Sequence, residues 1–158
     1  MADDTVSSII KKLAEKSWRL AAAESCTAGL VADLMASVPG ASKVFWGSYV
    51  TYSIESKTSM LGVDPDLISR HGAVSEACAR AMSSGACQKS GVQCGVSVTG
   101  LAGPDGDGSG LPVGTVWIAV TISGSGTSAR EYRYTGSRNT IRRAAAEDAL
   151  RELYNRIR

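Results

Sequence analysis

Apolar side chains recur along this chain in two alternating periods. Val6, Ile9, Ile10 and Leu13 fall three and four residues apart, which predicts an amphipathic helix over residues 4–17. Arg19, Leu20 and the alanines that follow form a short apolar strand over about 18–23. Helical spacing resumes with Leu30, Val31, Leu34, Met35 and Val38, so a helix is predicted from Thr27 to the stop at Pro39-Gly40. Residues 44–52 are aromatic and β-branched and read as a strand. A short helix over 53–61 comes next. Asp64 and Pro65 then supply the N-cap and first turn of another. A helix over 75–90 precedes a strand over 94–98. A long loop over 99–114 carries glycines at 100, 103, 106, 108, 110 and 114. Strands over 116–122 and 129–134 flank Gly124-Ser125-Gly126, a hairpin turn. The last helix runs from 137 to the end of the chain.

Helices alternate with strands early, and two antiparallel strands come late. This order predicts an α/β fold: a three-layer α/β/α sandwich on a mixed sheet of about five strands. Residues 1–158 read as one domain, with no internal repeat and no low-complexity linker. Open sheets of this kind take ligands at the carboxyl ends of their strands. Segments 24–29, 52–57 and 99–114 all follow strands, so they are expected to meet in one site.

Composition narrows the function classes. The net charge is +2, from 17 basic and 15 acidic residues, and no run of Lys or Arg suggests nucleic acid as a partner. The start Met-Ala-Asp-Asp lacks the pattern of a secretory leader, and no apolar run approaches the ~18 residues of a membrane span. A cytoplasmic protein is expected. Cys26, Cys78, Cys87 and Cys94 form no C-x-x-C, and there is a single His. A zinc site is therefore not expected.

The chemistry concentrates in Ala23-Glu24-Ser25-Cys26-Thr27-Ala28-Gly29, a turn between a strand and a helix. Ser25 is either a helix cap or a nucleophile. As a nucleophile it needs a base. His71 is one candidate, although it lies in a helix-ending turn. Lys57 is another, since burial lowers a lysine's pKa and Ser–Lys pairs replace Ser–His–Asp triads in some hydrolases. Tyr52 could relay a proton or hold the amine. The glycines after Thr99 let backbone N–H groups approach an anion. Asp105-Gly106-Asp107-Gly108-Ser109-Gly110 imitates the start of a calcium loop, but Val116 stands where that loop needs Glu, so calcium is rejected. Arg138, Arg142 and Arg143 crowd the first turns of the last helix, where cations are disfavoured. They either assemble an anion site or face solvent and neighbouring acids.

Five motifs in succession resemble one family. They are Glu24-Ser25-Cys26-Thr27-Ala28-Gly29, Tyr52 with Lys57, His71-Gly72-Ala73-Val74-Ser75-Glu76, Thr99-Gly100-Leu101-Ala102-Gly103-Pro104-Asp105-Gly106, and Pro112-Val113-Gly114-Thr115-Val116. Together they resemble the CinA C-terminal domain family over about residues 5–156. Its characterised members are nicotinamide mononucleotide deamidases of the PncC type. The resemblance implies hydrolysis of nicotinamide mononucleotide to nicotinic acid mononucleotide and ammonia, in pyridine nucleotide recycling. It also implies a homodimer or larger homo-oligomer, with no metal and no cofactor. Carried over, the serine nucleophile falls on Ser25, the lysine on Lys57 and the assisting tyrosine on Tyr52. Thr99, Gly100 and Gly103 match the substrate loop, and Arg138 the arginine of the last helix. Ala28 departs from the family's second glycine.

This assignment makes Lys57 the base for Ser25 and gives the oxyanion to the N–H groups of Cys26 or Thr27. The substrate phosphate is expected at Arg138, helped by Arg142 or the glycine loop. The pyridine ring is expected against Phe45, Trp46 or Tyr49. Two other readings use the same residues: a nucleotide-binding module without chemistry, and a serine hydrolase based on His71.

Overall fold

The computed structural model describes the backbone of residues 2–158 and side chains from residue 4 onward. Met1, on which the expectation of no leader partly rests, lies outside the described residues.

The elements run α1 (Ala2–Glu15), β1 (Leu20–Glu24), α2 (Leu30–Ala36), a 3-10 turn (Ala41–Lys43), β2 (Phe45–Val50), α3 (Ile54–Leu61), α4 (Pro65–His71), α5 (Glu76–Ser90), β3 (Cys94–Gly100), β4 (Thr115–Ile122), β5 (Gly126–Arg133) and α6 (Arg138–Ile157). The five strands form one sheet in the order β2-β1-β3-β4-β5. Strand β1 pairs in parallel with β2 and β3, while β3–β4 and β4–β5 are antiparallel. The sheet is mixed, as the element order predicts.

Period-two alternation divides β1 between two cores. Leu20 and Ala22 join Val96, Val98, Ile118 and Val120 against α1, α2 and α6, where Ile9, Leu13, Ala145 and Leu153 are buried. Ala21 and Ala23 face the other layer, with Leu61, Ile68, Cys78, Met82 and Ala86 of α3, α4 and α5. A strand covered on both faces has few polar positions, which is why residues 20–23 read as an unbroken apolar run.

Several bounds differ from the sequence reading: β3 runs on through Gly100, and β5 starts at Gly126 inside the expected turn. Helix α2 starts at Leu30, because Ala28 (φ 48) and Gly29 (φ 102) are left-handed and hold the chain out of helix. The aromatic strand β2 is an edge strand that leaves Trp46 and Val50 exposed. No helix among the described residues is long and apolar enough to cross a membrane.

Parallel pairing of β1, β2 and β3 has one consequence for function. Their carboxyl ends, Glu24, Val50 and Gly100, lie on one edge of the sheet. The three segments that leave them therefore start side by side.

Candidate active site

Glu24 ends β1 with its side chain fully buried. A buried carboxylate is costly unless hydrogen-bonded, and this one has four donors. Oε2 accepts from the N–H groups of Gly29 (2.9 Å) and Val31 (3.0 Å). Oε1 accepts from the N–H of Ala32 (3.1 Å) and the hydroxyl of Ser48 (2.8 Å). The amino end of α2 is thus capped from one turn upstream, and its N–H groups are occupied. Neither Ser25 nor Thr27 caps it. Gly29 holds the N-cap position and makes no side-chain bond.

Ser25, relieved of capping, is buried, but it lines a cleft. Its N–H donates to Val98 O of β3, and its carbonyl accepts from the Ala28 N–H. The hydroxyl meets Lys57: Nζ lies 2.9 Å from Ser25 Oγ and 2.7 Å from the carbonyl oxygen of Thr51. Helix α3 delivers this lysine from below, its first turn fixed by a capping box between Ser53 and Ser56. Lys57 is 2% exposed. Burial drives its pKa below the ordinary lysine value, against a smaller upward pull from the thiols of Cys78 and Cys26. Desolvation without a carboxylate partner favours the neutral amine.

The cleft has a volume of about 320 Å³. Ser25, Cys26 and Lys57 form its reactive end, Tyr52 and Arg138 one rim, and Thr99 to Gly103 another. Asp105 and Asp107 also line it. Arg138 ties the rims together, donating to Gly103 O (2.6 Å) and to the Tyr52 hydroxyl (2.7 Å). Tyr52 is 58% exposed, which leaves the pair open to an incoming anion. Thr99 spends its hydroxyl on Ala73 O at 2.7 Å. Gly100 has no room for a side chain: a Cβ would lie 2.5 Å from Val116 Cγ2 and 2.8 Å from Thr115 O. Gly103 (φ 81) faces Val113 in the same way, at 2.6 Å.

Several other candidate side chains do not line the cleft. Thr27 is fully buried, and its hydroxyl has no partner among the described residues. Arg142 does not line the cleft; it binds the carbonyls of Cys26 and Thr27. Arg143 pairs with Glu147 on its own helix. His71 ends α4 and opens on a neighbouring cavity with Glu76, Trp117 and Glu131. Phe45, Trp46 and Tyr49 are not in the cleft; Trp46 stacks on Tyr49, whose hydroxyl bonds Ser90. The apolar lining of the cleft includes Ile54, Val74 and Leu101 instead. The Cys26 thiol is pushed up to about 11 by burial, so it is neutral and a poor competitor for Ser25.

Sequence reasoning missed Glu24 as the cap and Thr51 as the carbonyl that receives Lys57. A Glu ending an apolar run, directly before a candidate nucleophile, was a usable signal for the first. Nothing in the sequence marks a backbone carbonyl.

Comparison with known proteins agrees with this architecture. The family model of the CinA C-terminal domain matches residues 2–157. CinA-like proteins from Gemmatimonas aurantiaca and Anaeromyxobacter dehalogenans are 42% and 46% identical over 151 and 149 residues. Those alignments cover 96% and 94% of this chain but 35% and 36% of the relatives, so the chain spans about a third of their length. A CinA superfamily protein from Klebsiella pneumoniae superposes with a TM-score of 0.94 at 30% identity, covering 99% of this chain and 98% of that one. The competence/damage inducible protein CihA from Agrobacterium tumefaciens gives 0.93 at 34% identity, covering 98% and 94%.

Proposed function

The chain belongs to the CinA C-terminal domain family, and we propose that it hydrolyses the carboxamide of nicotinamide mononucleotide through a serine–lysine pair. The observation that carries the chemistry is the 2.9 Å approach of a buried Lys57 amine to the Ser25 hydroxyl. The family resemblance supplies the substrate, and the Arg138 rim is suited to its phosphate.

Neutral Lys57 takes the Ser25 proton as Oγ bonds to the amide carbon. The carbonyl oxygen becomes an oxyanion, met by the N–H groups of Cys26 and Thr27. Among the described residues neither of these has an acceptor in the turn, whereas Ser25 and Ala28 have theirs. Each such donor is typically worth ~2.7–4 kcal/mol of barrier. Collapse breaks the C–N bond, and the Lys57 ammonium returns its proton to the leaving ammonia. Water then attacks the acyl-serine, giving its proton to Lys57. The ester C–O bond breaks and Ser25 regains its proton. The net change is amide plus water to acid plus ammonia. Thr51 O holds one amine hydrogen and so turns the Lys57 lone pair toward Ser25. Tyr52 and Arg138 hold the phosphate end. Ile54, Val74 and Leu101 give the ring apolar walls.

The deciding experiment measures ammonia released from nicotinamide mononucleotide by wild type and by Ser25→Ala. Turnover by wild type alone is expected. A folded Ser25→Ala protein with wild-type turnover removes Ser25 as nucleophile, and no turnover by either removes the activity. Nicotinamide riboside, which lacks the phosphate, is expected to be a poor substrate.

A further inference from the structure

We infer that Arg142 is a positioning residue that sets the oxyanion donors of the Ser25 turn. This rests on the serine–lysine reading and names what holds its turn in place. Arg142 Nε donates to Cys26 O at 2.9 Å and Nη2 to Thr27 O at 3.0 Å. Nη1 reaches Asn139 Oδ1 at 3.1 Å on its own helix, which steadies the fork. One guanidinium thus receives two successive carbonyls of one turn, from a helix 116 positions beyond Cys26.

The geometry of the peptide unit carries the argument. In a planar trans peptide the N–H points opposite to the C=O. Holding Cys26 O toward α6 therefore directs the Thr27 N–H away from α6. Holding Thr27 O does the same for the Ala28 N–H, which closes the turn onto Ser25 O at 3.1 Å. The turn needs this brace. Ala28 sits at φ 48, a region unfavourable for a residue with a Cβ. Thr27 offers no help, because its buried hydroxyl bonds nothing among the described residues. Glu24 fixes the turn only from Gly29 onward.

Charge adds to the effect. Among the described residues no carboxylate forms an ion pair with Arg142, unlike Arg143 with Glu147. The cation's field stays on the turn, and it already bears on the neighbouring Cys26 thiol, where it favours the anion. An oxyanion at the adjacent donors would feel the same field. Lysine cannot replace this function, since a point charge does not span two carbonyls as a planar fork does.

The test compares wild type, Arg142→Lys and Arg142→Ala in two assays. The first is steady-state hydrolysis of nicotinamide mononucleotide. The second is the rate at which a fluorophosphonate phosphonylates Ser25, read by intact mass. Arg142→Ala is expected to lower kcat by roughly 10²–10³-fold, as loss of an oxyanion donor does. KM should stay within about threefold of wild type, and the pH midpoint should not move, because Lys57 is untouched. Added guanidinium ion should restore part of the rate to Arg142→Ala. A kcat within about threefold of wild type, or a loss lying wholly in KM, overturns the inference. If Arg142→Ala does not fold, Arg142→Lys decides, and wild-type kcat in that variant overturns it. If wild type releases no ammonia, the proposed activity fails, and labelling then decides the positioning role. Slower labelling of both variants supports it, equal rates overturn it, and no labelling of wild type overturns both readings.

Discussion

Lys57 Nζ stands 2.9 Å from Ser25 Oγ, although the two residues are 32 positions apart, one directly after β1 and the other in α3. The amine's other bond goes to a backbone carbonyl, Thr51 O, and among the described residues no carboxylate forms an ion pair with it. A lysine set in this way loses the solvation that keeps it charged and gains no ion pair in return. It serves a base better than it serves stability.

Lys57→Met should therefore abolish turnover while raising the melting temperature near neutral pH. The sign follows from proton linkage. Burial lowers the folded-state pKa of Lys57 below its unfolded value of 10.5. Between the folded pKa and 10.5 the unfolded chain binds more protons, so wild-type stability rises with pH across that window. The penalty is fully present below the folded pKa and gone above 10.5. Thermal melts of both proteins from pH 6 upward should converge toward alkaline pH. The rate of wild-type hydrolysis should rise through the folded pKa of Lys57, as the neutral base is released.

Cys26→Ala should retain most of the activity. The thiol, pushed up to about 11, is protonated at neutral pH, and the substitution leaves the Cys26 N–H in place. Iodoacetamide should likewise modify wild type only slowly, checked by intact mass. Loss of activity in Cys26→Ala with the fold intact would move the nucleophile from Ser25 to its neighbour.

Arg138→Ala should raise KM for nicotinamide mononucleotide by roughly 10-fold or more, the scale of a charge-assisted hydrogen bond worth about 1.5–3 kcal/mol. The riboside should be affected far less. Tyr52→Phe removes the acceptor that Arg138 uses at 2.7 Å and should change KM with kcat when the phosphate is present. Steady-state kinetics on the two substrates separates these effects.

Ala28→Gly should stabilise the protein by about 0.5–1 kcal/mol. The left-handed φ of 48 costs alanine roughly 1–2 kcal/mol, part of which the greater unfolded freedom of glycine takes back. A rise of a few degrees in melting temperature, with kcat unchanged, is the expected result.

The fold was largely legible because its elements bury one regular face each. The period-two run of β4 and the helical spacing of α1 need only local information. The start of α2 was not legible from spacing, since Thr27 fits a helix pattern as well as Leu30 does. What excludes it is the Glu24 carboxylate reaching forward to three N–H groups, together with a left-handed Ala28. The aromatic strand misled for a related reason. Its composition marks β structure, but only the sheet order puts Phe45, Trp46 and Tyr49 away from the cleft. Crowding of Arg138 and Arg142 at one helix start was a readable anomaly. Their partners, Gly103 O and Tyr52 for one and the Cys26 and Thr27 carbonyls for the other, are tertiary and left no trace in local sequence.

The long reach of Arg142 also bears on biosynthesis. Ser25 and Lys57 are synthesised before the helix that grips the Cys26 and Thr27 carbonyls. A nascent or truncated chain that lacks α6 holds both reacting side chains but not the brace for the peptide groups between them. Reactivity at Ser25 would then report that synthesis has passed α6.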